Sequence, residues 1–135
     1  MIVFICIDDR GGMLFNHRRQ SRDREQVADM LSLVGNGHLL CHPYSATLFP
    51  EEGYQPVFDE HFLENAAERD FCFVENQPLV PCLEKIQALI VYRWNRTYPR
   101  DVVLDIPLPG AFHPVETVEF AGYSHEKITR VRYER

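Results

Sequence analysis

The chemically densest stretch of the chain is Asn16–Arg24, NHRRQSRDR, with arginines at 18, 19, 22 and 24. A guanidinium group offers a planar fork of donors that matches a carboxylate or a phosphate. The stretch runs into a helical pattern, and the first amides of a helix favour a bound anion. These residues predict a site for a small anionic or nucleotide-like ligand. The plainer reading is a solvated loop in which Asp23 and Glu25 neutralise the arginines. A second candidate is Arg93-Trp94-Asn95-Arg96, an aromatic flanked by cations, which suits stacking on a base. Its plainer reading, and the favoured one, has Trp94 capping the core. A third is Ser124-His125-Glu126-Lys127. Neighbours along an extended chain point to opposite faces, so these residues cannot relay a proton among themselves. They read as a polar hairpin loop.

Metal chemistry has little to stand on. The six histidines are scattered, and Cys6, Cys41, Cys72 and Cys82 show no paired spacing. Zinc sites need closely spaced Cys or His pairs, so no structural metal is expected. There is no His-x-His-x-Asp-His cluster of the zinc-dependent nucleases. Three of the cysteines lie in apolar runs and behave as small hydrophobes, which fits a reduced, cytoplasmic setting.

The elements that must position these groups follow from the hydrophobic pattern. Ile2–Ile7 is an unbroken apolar run, the mark of a strand buried on both faces at the centre of a sheet. Ligands of such sheets bind where loops leave the carboxyl ends of the strands, which selects the loop Asp8–Ser21. Val27, Met30, Leu31 and Val34 have helical spacing, Gly35-Asn36-Gly37 supplies the stop, and Ser21 or Asp23 is the expected N-cap. A strand at His38–Cys41, a helix at Tyr44–Phe49 after Pro43, a short extended piece at Gln55–Phe58 and a helix at Glu60–Glu68 follow. Next come a strand at Phe71–Val74, a short helix at Leu79–Glu84, a strand at Ile86–Tyr92 and an extended stretch at Val102–Ile106. Val115–Phe120 and Lys127–Tyr133 alternate, and predict an antiparallel hairpin with one wet face. The order implies one α/β domain over residues 1–135, with a mixed, mostly parallel central sheet between helices.

The bulk numbers agree with a globular domain: 45% hydrophobic and 25% charged residues are ordinary proportions. A net charge of −6 argues against general attraction to nucleic acid or anionic membrane. The opening apolar run is too short for a membrane span and lacks the basic flank of a signal peptide.

The chain resembles dihydrofolate reductase over nearly its whole length. Ile2–Ile7 with Asp8-Asp9-Arg10-Gly11-Gly12-Met13 is similar to that family's first strand and mobile loop. HLLCHPYSATLF, residues 38–49, resembles the strand and helix with the family's Gly-Arg-Lys-Thr-Trp motif. FCFVENQPLVPCLEK, residues 71–85, resembles the strand, double glycine and helix that hold the cofactor diphosphate. Residues 86–106 and 115–135 resemble the closing strands. The resemblance implies a three-layer fold and a cleft around Asn16, Arg19, Gln20, Ser21, Gln26, Ser45, Glu75 and Asn76.

The chemistry carries over less well. Gln26 falls where the family has its catalytic carboxylate, and an amide cannot deliver a proton. Glu25 or Asp23 could supply the acid if the alignment shifts. Ser21 replaces a tryptophan, His42-Pro43 replaces Gly-Arg, and Val102 falls at a pterin-binding threonine. Glu75-Asn76 replaces the double glycine, which sets a carboxylate where a diphosphate would lie. Three functions stay open. The first is a divergent protein without reductase activity or cofactor, binding a small ligand or a protein partner through its first loop. The second is an active reductase using NADP and a pterin-like substrate. The third is an RNA-binding protein or ribonuclease.

Overall fold

The first strand, β1 (Ile2–Ile7), is threaded between two parallel neighbours in a computed structural model that describes residues 1–135. On one side lies β6 (Phe71–Phe73), and on the other β7 (Ala88–Arg93). The β1 side chains alternate between two cores. Val3, Ile5 and Ile7 enter one hydrophobic cluster, while Phe4 enters the other. This two-sided burial is why the run carries no polar residue.

The central sheet has seven strands in the order β5-β4-β6-β1-β7-β10-β9. Here β4 is Leu39–Cys41, β5 Val57–Phe58, β9 His113–Phe120 and β10 Ile128–Glu134. The pairs among β5, β4, β6, β1 and β7 are parallel, and β10 is antiparallel to both β7 and β9. The expected mixed sheet with an antiparallel C-terminal hairpin is present. On one face pack α1 (Arg24–Val34) and a 3₁₀ turn at Pro43–Leu48. On the other pack α2 (Phe62–Asn65) and the segment around Leu79 and Ile86. No helix is long and apolar enough to cross a membrane.

The helix α1 begins where Asp23 caps it, its carboxylate accepting the Glu25 amide at 2.9 Å. It ends at Gly35, whose φ of 57° is left-handed backbone that glycine tolerates. Met30 and Val34 are buried against the sheet, each worth roughly 1.5–3 kcal/mol.

Three expectations need correction. The helix expected over Glu60–Glu68 is a single turn. The Asp70 carboxylate accepts the Ala67 amide and holds residues 67–70 as a turn, and Ala66 is already extended. The extended stretch at Val102–Ile106 is only β8 (Val102–Val103), and it does not join the central sheet. It forms a second, three-stranded sheet with β2 (Gly12–Phe15) and β3 (Arg18–Arg19), in the order β3-β2-β8. The stretch read as a loop is therefore partly a hairpin. Asn16 and His17 form its turn, with φ of 51° and 62°. Both are turn residues with positive φ, as a tight hairpin requires.

Candidate functional site

The hairpin β2–β3 folds over the carboxyl ends of β1 and β6 and carries its arginines there. Asp8, just past β1, fixes the arrangement. Its carboxylate accepts amides from Arg10 and Gly12 at 2.9 and 2.7 Å, and from Tyr98 at 3.1 Å. It also accepts the Gln20 side chain at 3.1 Å. Burial alone would raise the pKa of this carboxyl, but these donors hold it below the ordinary range.

A narrow cleft lies behind the hairpin, lined by Cys6, Met13, Arg19, Gln20, Ser21, Arg22, Gln26, Leu48, Phe73, Val74, Glu75 and Trp94. One side is an ion pair. Arg19 donates from Nε and Nη2 to the two Glu75 carboxylate oxygens at 2.7 and 3.0 Å. Ser45 Oγ donates to the same carboxylate at 2.7 Å. Arg19 also donates to Thr47 Oγ1 and the Tyr44 carbonyl, both at 3.3 Å, and lies 4.7 Å over the Tyr44 ring. The cavity left, open solvent aside, is about 20 Å³. That holds a water molecule and little more.

The other side is the start of α1. Gln26 faces the cleft, is 2% exposed, and its Nε2 has no hydrogen-bond partner. Asp23 turns the opposite way, toward the loop between β9 and β10. It accepts amides from Tyr123, Ser124 and His125 at 2.8–3.1 Å, and the His125 ring Nδ1 at 2.9 Å. Burial opposes ionisation here, yet the Tyr123 amide, His125 and the other donors drive the carboxyl far below its usual range. Gly122 makes this approach possible, because a Cβ there would lie 2.7 Å from Asp23 Oδ2. His125 Nε2 in turn lies 3.0 Å from both Ser21 Oγ and the Tyr98 hydroxyl.

Of the residues expected around one depression, Arg19, Gln20, Ser21, Gln26 and Glu75 line the cleft, and Ser45 is bonded to Glu75. Asn16 stands exposed at the hairpin tip, and Asn76 lies beyond Glu75 with its Oδ1 buried and unpartnered. Glu25 is exposed, and neither it nor Asp23 lines the cleft. Val102 sits exposed in β8, and Trp94 is buried in the core. The sequence reading sets His125 aside within a polar hairpin loop, because its partners Ser21 and Asp23 lie about a hundred residues earlier. The signal was a histidine with flanking polar residues in a hairpin loop, and nothing local ties it to Ser21 or Asp23.

No protein-family model matches the chain, and no curated protein does. Among solved structures it is similar to dihydrofolate reductase from Enterococcus faecalis, complexed with NADP(H) and RAB-propyl. The TM-score is 0.69 over 99% of this chain and 95% of that one, at 11% identity. The fold is that of dihydrofolate reductase. Within the dihydrofolate reductase-like fold, Gln26 is the residue of the first long helix that meets the cleft. Glu75, two residues past the end of β6, carries a carboxylate engaged by Arg19.

Proposed function

We propose that this dihydrofolate reductase-like domain transfers no hydride and binds a small anionic or nucleotide-like ligand, or a protein partner, through its first loop. The observation that carries the reading is the Arg19–Glu75 pair, an anion receptor occupied by the chain's own carboxylate. A ligand carboxylate or phosphate would compete with Glu75 for the same fork of donors. Two further features support it. Gln26 has no proton to give at the position where the resemblance puts the acid. A cavity of about 20 Å³ also falls far below the roughly 300–1,000 Å³ of ordinary ligand sites, so a full dinucleotide has no room while the pair is closed. The four free cysteines suit a reducing compartment, and we place the protein in the cytoplasm.

A second reading, an NADP-dependent reductase of a pterin-like substrate, draws on the NADP(H) held by the solved relative. Titration with NADPH followed by cofactor fluorescence separates the two. The expected result is no saturation at micromolar NADPH, together with thermal stabilisation by inorganic phosphate or AMP. Tight saturable NADPH binding with oxidation on adding dihydropterin would overturn the proposal.

A further inference from the structure

The second wall of the cleft holds a serine, a histidine and an aspartate in relay order, and nothing in the ligand-binding reading uses them. We propose that Ser21 is an acyl-accepting nucleophile, with His125 as its base, and that the site acts on small esters. The inference does not depend on the Arg19–Glu75 pair opening.

The geometry is built from the inside out. Asp23 is ionised and accepts the His125 Nδ1 proton at 2.9 Å. That fixes the tautomer and leaves the Nε2 lone pair facing Ser21 Oγ at 3.0 Å. The ring cannot turn away, because it is 4% exposed and stacked on Trp94 at 4.5 Å and 17°. Tyr98 lies across the other side, its hydroxyl 3.0 Å from Nε2 and 3.4 Å from Ser21 Oγ. Ser21 itself is half-buried and lines the cavity, while Asp23 and His125 stand behind it. Nucleophile toward the cavity, base next and orienting carboxylate innermost is the arrangement that activates a serine. An independent observation completes the site. Gln26 lines the same cavity with a buried amide nitrogen that has no partner. An unsatisfied donor beside a nucleophile is what a developing oxyanion needs.

In the reaction, Ser21 Oγ bonds to the ester carbonyl carbon while its proton passes to His125 Nε2. The carbonyl π pair moves to oxygen, and the Gln26 amide donates to it. Collapse breaks the bond to the leaving alcohol, which takes the proton from Nε2 and leaves an acyl-serine. Water repeats the two steps and releases the acid. The ester and water are the only co-reactants. A cavity of about 20 Å³ excludes any acyl group larger than acetyl. Asp23 is a positioning residue, acting through His125.

The test uses the wild-type protein with p-nitrophenyl acetate, quenched in acid to trap the acyl-serine. Intact mass and peptide mapping should show one adduct, on Ser21, that native protein forms and urea-unfolded protein does not. Ser21→Ala should abolish it, and Gln26→Leu should slow acetylation by about 100-fold. Asp23→Asn should lower kcat for the ester with KM unchanged. Native wild-type protein that forms no Ser21 adduct overturns the proposal, whether or not any variant folds. Labelling of Ser21 at an equal rate in native and unfolded protein overturns it too.

Discussion

Replacing Glu75 with glutamine separates the cost of the internal ion pair from its effect on a ligand. The Glu75 side chain is 8% exposed and the Arg19 side chain 17%. Removing one partner of a buried pair costs about 3–5 kcal/mol when the other charge is stranded. Arg19 is not fully stranded, because the Tyr44 carbonyl, Thr47 and the Tyr44 ring remain. A loss of about 2–3 kcal/mol is therefore expected, below the full figure for a stranded charge. In a chain of this size that lowers Tm by roughly 10 °C. The same change frees the guanidinium and removes a negative charge from beside it. Two unit charges about 4 Å apart at an effective dielectric near 20 interact by about 4 kcal/mol. Even a third of that raises phosphate affinity about tenfold. Saturation at 100 times Kd then returns about 2.7 kcal/mol and restores most of the lost Tm. The assay is thermal unfolding of Glu75→Gln against wild type, in chloride and in a phosphate series at matched ionic strength. A phosphate response equal to wild type, with the expected loss of stability, would show that Arg19 is purely structural. Changing Glu75-Asn76 to Gly-Gly extends the test. NADPH affinity should rise more than tenfold, about 1.4 kcal/mol, and no gain would mean that residues 75–76 do not face a cofactor cleft.

Three further outcomes are expected. Asp23 has its pKa lowered in the fold, so its contribution is complete above the unfolded value of about 3.9 and fades as pH falls below it. Urea unfolding from pH 6 to pH 2 should show Asp23→Asn less stable than wild type at pH 6, the gap shrinking steadily below pH 4, and a constant gap would refute the linkage. In Gly122→Ala the new Cβ would meet the His125 carbonyl at 2.6 Å and Asp23 at 2.7 Å. That should cost about 1–3 kcal/mol by overpacking, and denaturation with unchanged stability would show that the loop shifts freely. Ile5 is fully buried between β6 and β7. Ile5→Asp should abolish cooperative unfolding by burying an unpaired charge, and a soluble, cooperatively melting variant would mean that β1 is not central.

The parts of the fold read correctly from sequence are those where one physical pattern dominates. Ile2–Ile7 has no polar residue to compete with burial, and Val27, Met30, Leu31 and Val34 end at a glycine that can take positive φ. The reading went astray where side chains overrode propensity. Asp70 stops the helix after Asn65, and the turn Asn16-His17 folds the arginine segment into a hairpin that its charge pattern conceals. The site divides the same way. The resemblance places Arg19 and Glu75 both at the cleft, and a cation and a carboxylate brought that close pair. The contact of His125 with Asp23 spans 102 residues and depends on where the β9–β10 loop lands, which only the sheet order decides.

That sheet order also sets a timetable. β10 lies between β7 and β9, although it follows both of them in the chain. Until residues 128–134 leave the ribosome, β7 is an open edge of apolar residues, Ala88 through Tyr92. The nascent chain therefore exposes its stickiest strand for the time needed to add some forty residues, a few seconds at about 5–20 residues per second. Asp23 has no loop to hold, and His125 no carboxylate, until the same moment. The pairing strand that hides the edge also brings the β9–β10 loop to α1, so a chain stalled before residue 128 is at once prone to aggregate and without its serine–histidine contact.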